Sequence, residues 1–460
     1  MIIYLHVEIS ARELDGKLLL ATLAAARGHE VVLSDLEIIL KGLLRGYLNP
    51  GIYHTKSLTP SKTKIDRHQK IINQGSIITS IDEESGIDRE GYEKFSKTRY
   101  SRETIDQSSA VFSWGEEDFE TLKKNYKEYS NKIYKTGSPR VDLCKEIFFD
   151  YWSNPKLNIN KSYVLISSNM KVCSYNSFAD RLKIMRENGY FKRSPELFKE
   201  EFLLRSNDYL KAMVFIDAIK HISEYNNGYD IIVRPHPTET SDCWKVLLDG
   251  TPNVFIEKKG PINPWIKNSF AVMHHGCTSA IEATLSNKPL VTYVPSELKH
   301  HPLHNQLTNK LGFLINTKED LLKKLNHLHD EIKKNHEINK NFYLPLDISK
   351  KIYLDNELAA EKMVKIWEKI TSKKDFKSIN LTKLKFFILK LKINRLVGDT
   401  LKLFSSKFKS LGTRKNNQKF PKFNIAEINE RVEKFRKILK IESKLECILL
   451  ADRTIIIRKL

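Results

Sequence analysis

Residues 1–35 read MIIYLHVEISARELDGKLLLATLAAARGHEVVLSD. A short β-rich run, "MIIYLHV", passes into a helix-forming stretch that ends at Gly28, and "VVLSD" resumes the β pattern. Strand, helix, tight turn and strand make the opening βαβ unit of a doubly wound parallel sheet. Working outward, "GSIITSI" (75–81), "AVFSWG" (110–115) and "KIYKTG" (132–137) extend the series, with helical patterns between several of them. A second series starts at "SYVLISS" (162–168). It continues through a long helix near 205–226, "DIIVRP" (230–235), "NVFIE" (253–257), "FAVMHHG" (270–276) and "PLVTYVP" (289–295). The expected fold class is α/β, with two Rossmann-like domains facing a cleft and meeting near 145–160. The boundaries predicted are 1–150, 151–370 and a basic, mostly helical extension over 371–460. Within this, residues 317–370 read as helical and could complete the second domain or cross back to the first.

A chain of 460 residues is too long for one hydrophobic core, which agrees with two or three domains. Hydrophobic residues at 41% and charged residues at 29% suit a soluble folded protein. The cysteines Cys144, Cys173, Cys243, Cys277 and Cys447 form no CxxC pair and no zinc spacing, which points to a reducing compartment. The first residues lack the basic flank and cleavage site of a signal peptide. No run of apolar residues is long enough to span a bilayer. A cytoplasmic protein is expected. Charge is unevenly placed: residues 371–460 carry 24 Lys and Arg against 8 Asp and Glu. That places +16 of the total +21 in the extension and leaves +5 for residues 1–370.

Ligands of open α/β sheets sit at the carboxyl ends of the strands. "IIVRPHPTETSDCW" (231–244) places Arg234 and His236 just past such an end, and Pro235 and Pro237 restrict the backbone that presents them. A cation beside an imidazole suits an anion such as a phosphate. A strand-terminating turn whose His caps a carbonyl is the other option. "FAVMHHGCTSAIEATLSNKPLVTYVP" (270–295) reads as strand, turn, helix, strand. Its turn, with Gly276 allowing close backbone approach and Thr278 and Ser279 in the first helical turn, would offer backbone N–H groups to a phosphate. Glu282, further along the same helix, could accept from a ribose. The alternative is an N-cap by Thr278 or Ser279 with a surface Glu282. Between the two motifs, "VFIEKKGPINPWIKNS" (254–269) is a loop stiffened by Gly260, Pro261 and Pro264, with Trp265 expected in the core.

Taken together, these residues resemble the bacterial surface carbohydrate biosynthesis proteins. They are also similar to GT-B-fold glycosyltransferases that use CMP-activated acidic sugars, of the Kdo-transferase and sialyltransferase kind. The resemblance runs over roughly residues 1–345. It rests on "VEISARELDGKLLLATLAAARGHEVVL", "SIDEESGI" (80–87), "FSWGEEDFETL" (112–122) and "KTGSPRVDL" (135–143). Further along it takes in "VRPHPTE", "KGPINPWI" and "HHGCTSAIEATLSNKPLVTYVP". It implies an acceptor and catalytic first domain and a nucleotide-sugar-binding second domain. The donor pocket would comprise Arg234, His236, Pro237, Glu239, Gly260, His275, Gly276, Cys277, Thr278, Ser279 and Glu282. His236 would contact the nucleotide phosphate. The catalytic carboxylate would come from the acidic motif Asp82-Glu83-Glu84-Ser85-Gly86, whose Ser departs from the family's pattern and leaves open whether Glu83 or Glu84 serves.

Glycosyl transfer passes through an oxocarbenium-like state, and a carboxylate could act as base, with inversion, or as nucleophile, with retention. The tripeptide "DEE" alone also fits a solvated acidic loop. Glu8, Arg12, Ser138 and Arg140 are further residues expected at the cleft, with helix capping or an interdomain ion pair as their structural alternative. No DxD motif is placed to bind a metal, so a metal-independent enzyme without a cofactor is expected, with CMP-sugar as donor substrate. Cations such as Arg234 and the helix dipole would stabilise the leaving phosphate.

In "LTKLKFFILKLKINRLVGDTLKLFSSKFKS" (381–410) Leu384, Phe387, Ile388 and Leu391, then Val397, Leu401, Phe404 and Phe408, follow helical spacing among lysines. Such a helix could lie on an anionic membrane. A second amphipathic stretch over 425–449 carries Ile425, Ile428, Val432, Phe435 and Leu439. Both could instead pack on the body or on a second chain. Nucleic acid is a third option that no motif supports. The expected partners are a nucleotide sugar, a glycan or lipid-linked glycan acceptor and the inner face of the cytoplasmic membrane. Two rival functions stay open: a CDP-alcohol phosphotransferase of the teichoic-acid type, and a scaffold that kept nucleotide binding and lost catalysis.

Overall fold

The computed structural model describes the chain except at residues 86–90, 153–160, 175–176, 188–190, 192–194, 302–303, 305–306, 336–345 and 405–419. Gly86 of the acidic motif, the side chains of Val397, Leu401 and Phe404, and Phe408 lie outside the described residues. Two units emerge: Met1–Tyr151 with Leu346–Leu460, and Trp152–Pro345.

In the first unit, β1 (Ile2–His6), β2 (Glu30–Ser34), β3 (Ile52–Thr55), β4 (Ile77–Ile81), β5 (Ala110–Ser113) and β6 (Ile133–Lys135) are parallel. They stand in the order β2-β1-β3-β4-β5-β6. All five residues of β1 are buried, as a parallel strand covered on both faces requires. The helix Ser10–Ala26 that follows ends where Gly28, at φ +86°, turns the chain. Its N–H donates to Ala25 O, while His29 N–H returns to Ala24 O, a left-handed cap that glycine adopts without steric cost. β3 is four residues long and includes His54, which is why the apolar pattern did not reveal it.

The expected boundary at 370 is corrected to one near 345. The helix Ala359–Thr371 buries Met363, Val364 and Trp367 in the first unit, and Trp367 Nε1 donates to Thr79 Oγ1 of β4 at 3.0 Å. Glu368 pairs with both Arg27 and His29. The expected mostly helical extension is present as the helices Leu381–Phe404 and Ile425–Ile438, and it ends in two strands that were not expected. The sheet continues into β14 (Thr454–Lys459), antiparallel to β2, and β13 (Leu445–Ala451), antiparallel to β14. Ser34 and Thr454 share a hydroxyl hydrogen bond across that junction. In the helix Ile425–Ile438, Ile428, Val432 and Phe435 are buried, and Phe435 stacks on Tyr151 at 4.1 Å between centroids. In the helix Leu381–Phe404, the stripe Leu384, Phe387, Ile388 and Leu391 is core of the first unit. These four apolar side chains, assigned to a membrane, are therefore occupied by the protein itself.

The second unit holds six parallel strands in the order β12-β11-β10-β7-β8-β9. They are β7 (Tyr163–Ser167), β8 (Asp230–Arg234), β9 (Val254–Ile256), β10 (Ala271–His274), β11 (Leu290–Tyr293) and β12 (Phe313–Ile315). β7 lies between β8 and β10, so the two motifs read as neighbours sit one strand apart. The long helix Glu196–Tyr225 buries Ala212, Phe215, Ala218, Ile219 and Ile222 against this unit's core.

Candidate functional site

At the carboxyl edge of the first sheet, the three acidic neighbours take three different roles. Asp82 is buried, and its carboxylate accepts from Arg99 Nε and Nη2 at 2.7 and 2.9 Å and from Glu84 N. Its carbonyl accepts from Trp114 Nε1. Burial pushes its carboxyl up, against the pull of Arg99. Asp82 is a structural anchor, which corrects its placement among the catalytic residues. Glu84 is half exposed and pairs with the same Arg99 at 3.2 Å. Glu83 is buried and faces inward, with Oε1 at 3.7 Å from Lys17 Nζ, while its carbonyl accepts from Arg140 Nη1.

Glu83 belongs to a cluster whose other members come from the helix after β1. Glu13 is fully buried and accepts from Glu8 N, Arg12 Nη2 and Lys17 Nζ at 2.9, 3.2 and 3.1 Å. Burial alone would raise its carboxyl, but Lys17, the Glu8 amide, Arg12 and Lys56 outweigh burial and hold it well below the ordinary range. Lys17 also donates to His6 O at 2.5 Å. His54, at the end of β3, is lowered to about 3 by burial and then by Lys17. Glu13, Lys17, His54, Glu83 and Arg140 line one small cavity with Gly16, Leu20, Ile81 and Pro139. A buried carboxylate, a buried ammonium and a neutral imidazole around one opening are the groups that proton transfer needs.

The four further residues expected nearby divide as follows. Arg140 enters the cluster and lies 5.5 Å over the Trp114 ring. Ser138 caps the short helix Pro139–Asp142, accepting from Arg140 N. Glu8 pairs with Lys56 at the exposed rim, and Arg12 serves Glu13. Glu13 and Lys17 went unread although their signal was present: two opposite charges four residues apart within an otherwise buried Leu- and Ala-rich helix. Asp118 is the other omission. It accepts from Trp114 N, Gly115 N and Ser85 Oγ, so it fixes the acidic loop to β5, and burial lifts its carboxyl to about 7.

At the carboxyl edge of the second sheet, Arg234 is corrected from ligand to scaffold. Its Nη1 donates to the carbonyls of Glu257 and Lys259, its Nη2 to those of Gly260 and Pro261, and it lies 5.1 Å over Trp265. Gly260, at φ +71°, thus contributes a carbonyl that holds the loop to β8. Glu239 is also an anchor: buried, it accepts from Met170 N, Ser168 Oγ and Trp244 Nε1, and burial raises its carboxyl. His236 is half-buried beside Pro237, and its Nδ1 accepts from Thr238 N, which places the proton of the neutral ring on Nε2. That N–H is a donor suited to an anion.

The turn after β10 meets the residues after β7. Ser279 Oγ and Ser167 Oγ are 2.6 Å apart, both reach Cys277 Sγ at 3.1 Å, and Asn169 Nδ2 donates to Gly276 O. Gly276, at φ +61°, donates its N–H to Asn309 Oδ1. Thr278 is exposed at the N-cap position and its side chain caps nothing, which disfavours the capping alternative for it; Glu282 is half-buried on the following seven-residue helix. Beneath the turn, the buried Lys211 donates to the carbonyls of Asn169 and His275 at 3.1 and 3.0 Å. His275 is buried with neither ring nitrogen hydrogen-bonded, and burial, then Lys211, hold it neutral. Ser167, Ser168 and Asn169 were visible as a polar run closing a buried strand. Lys211, inside a long helix, carried no mark to separate it from a solvated lysine.

No protein-family model matches the chain, and no curated protein matches it. Among solved structures, one assigned as a UDP-N-acetylglucosamine 2-epimerase from Listeria monocytogenes is 16% identical, covering 81% of this chain and 97% of its own, with a TM-score of 0.47. A glycosyltransferase from Rickettsia africae ESF-5 is 13% identical over 81% of this chain and 99% of its own, at 0.41. The wall teichoic acid polymerase TagF is 11% identical over 82% and 90%, at 0.44. Likeness of this order decides nothing about chemistry, which rests on the residues above.

Proposed function

We propose that the chain is a glycosyltransferase of surface-polysaccharide assembly. It would move an acidic sugar, Kdo-like or a nonulosonic acid, from a CMP-activated donor to a glycan or lipid-linked glycan acceptor on the cytoplasmic side of the membrane. The observation that carries this is the carboxyl edge of the second sheet. There, three adjoining strand ends present Ser168, Asn169, the His236 Nε2–H and the Gly276–Ser279 turn above the buried Lys211.

In this reading the donor's phosphate is received by the His236 N–H and by hydroxyl and amide donors of the turn. The bond from the anomeric carbon to the phosphate oxygen breaks, and the negative charge left on CMP is met by Lys211, with no metal ion required. The acceptor hydroxyl bonds to the anomeric carbon and yields its proton to Glu83, in line with inversion. Lys17 and Glu13 set the position of that carboxylate.

Calorimetry with CMP, CDP, UDP and GDP tests the donor. Selective CMP binding that His236→Ala removes supports the reading. A preference for CDP would move it to an alcohol phosphotransferase and one for UDP to a neutral-sugar enzyme. Absence of nucleotide binding would leave a scaffold.

A further inference from the structure

The helix Leu381–Phe404 has one stripe in the core, and its opposite side carries a second apolar row. Phe386, Leu389 and Ile393 are 59%, 56% and 50% exposed. At 3.6 residues per turn they form one ridge facing away from Leu384, Phe387, Ile388 and Leu391. The same spacing sets Lys383 and Lys390 along one flank of this ridge and Lys385 and Lys392 along the other, all four exposed. No Asp or Glu occurs from Leu381 to Gly398. Exposed apolar side chains scattered singly need no explanation; an aligned row bordered by lysines on both sides does.

We propose that this ridge is a docking surface for an anionic lipid bilayer. Phe386, Leu389 and Ile393 enter the boundary between headgroups and acyl chains, and the two lysine rows lie among the phosphates. The mode is interfacial, since among the described residues no helix is long and apolar enough to cross a membrane. Charge selects this occupant. A second copy packed by two-fold symmetry would set lysine rows against lysine rows. A nucleic-acid backbone would satisfy the lysines but press three hydrocarbon side chains against charged phosphates. Only a bilayer offers apolar depth bordered by negative charge. The inference stands apart from the proposed reaction, because binding is read without turnover.

Co-sedimentation of the full chain with phosphatidylcholine vesicles, with and without phosphatidylglycerol, tests it. Binding is expected only to the anionic vesicles, weakening as salt rises. The variant Phe386→Ser/Leu389→Ser/Ile393→Ser should bind at least about tenfold more weakly, and because these side chains are outside the core its thermal unfolding should match that of the parent. Lys383→Gln/Lys385→Gln/Lys392→Gln should lose the preference for anionic lipid. A separate Phe386→Trp variant should show a blue-shifted emission on adding anionic vesicles, which reads insertion at the ridge itself. Equal binding by the serine variant, unshifted Trp emission, or capture of duplex DNA in place of vesicles would each overturn the proposal.

Discussion

The carboxyl edges of the two sheets are built on opposite electrostatic plans. The first gathers ions: buried Lys17 lies 3.1 Å from buried Glu13 and 3.7 Å from buried Glu83, with His6 and His54 held neutral beside them. The second gathers neutral donors, with serines, Asn169 and a half-buried His236 over Lys211, whose ammonium donates to two carbonyls, while a second buried cation, Arg234, holds loop carbonyls. A site that moves protons needs groups able to exchange charge, whereas a site that holds an anion needs donors fixed in place. In the proposed reaction this division would put chemistry on the first unit and recognition on the second.

Substitutions can break this division. Glu83→Gln should lower turnover with a CMP-sugar donor by on the order of 10² to 10⁴-fold while CMP binding by calorimetry stays unchanged; a parallel loss of binding would merge the two roles. Lys17→Met leaves two buried carboxylates without their ammonium and should cost about 3 to 5 kcal/mol in denaturant unfolding. Arg234→Ala strips the carbonyls of 257–261 of their donor, and about 3 kcal/mol of lost stability is expected. Unchanged stability with abolished nucleotide binding would return Arg234 to the ligand. At His236 the effect should be smaller: His236→Gln should weaken CMP roughly tenfold, as loss of one charge-assisted hydrogen bond predicts.

Acid sharpens the contrast further. His54 and His274 are each lowered to about 3 by burial, so the unfolded chain takes up their protons first as pH falls. Their contribution is complete above the unfolded value near 6.5 and drains as pH drops from there toward 3. Glu13, held below its ordinary value, adds a loss that begins as pH falls through the ordinary carboxylate value and continues below it. The histidines of both units should therefore lower the thermal unfolding midpoint between pH 7 and 5, opposed in the first unit by Asp118, whose carboxyl, lifted to about 7, takes up its proton in the folded chain over the same range.

Strands buried on both faces, such as β1, β8 and β10, were plain in the sequence because an unbroken apolar run closed by polar residues has few other interpretations. The pair β13 and β14 was not, since "LECILLADRTIIIRKL" (445–460) joins the sheet through β2, a partner more than 400 residues away. The motifs were legible as places and not as roles. Arg234 and His236 stand two residues apart, yet one faces four loop carbonyls and the other presents a ring N–H. Asp82, Glu83 and Glu84 are consecutive, and which of them faces inward depends on where Arg99 and Lys17 fall. Partners distant in the chain decide such roles, and no local pattern records them.

The first sheet is completed by the hairpin of β13 and β14, and this orders events during synthesis. The second unit is contiguous, so all of its residues leave the ribosome while the first unit still lacks Leu346–Leu460. Until β14 arrives, β2 presents an open edge of unpaired amides and carbonyls, a template for pairing between chains. A nascent chain stalled before Leu445 would carry a finished second unit and an aggregation-prone first one, so the last strands protect the folding chain as well as completing its sheet.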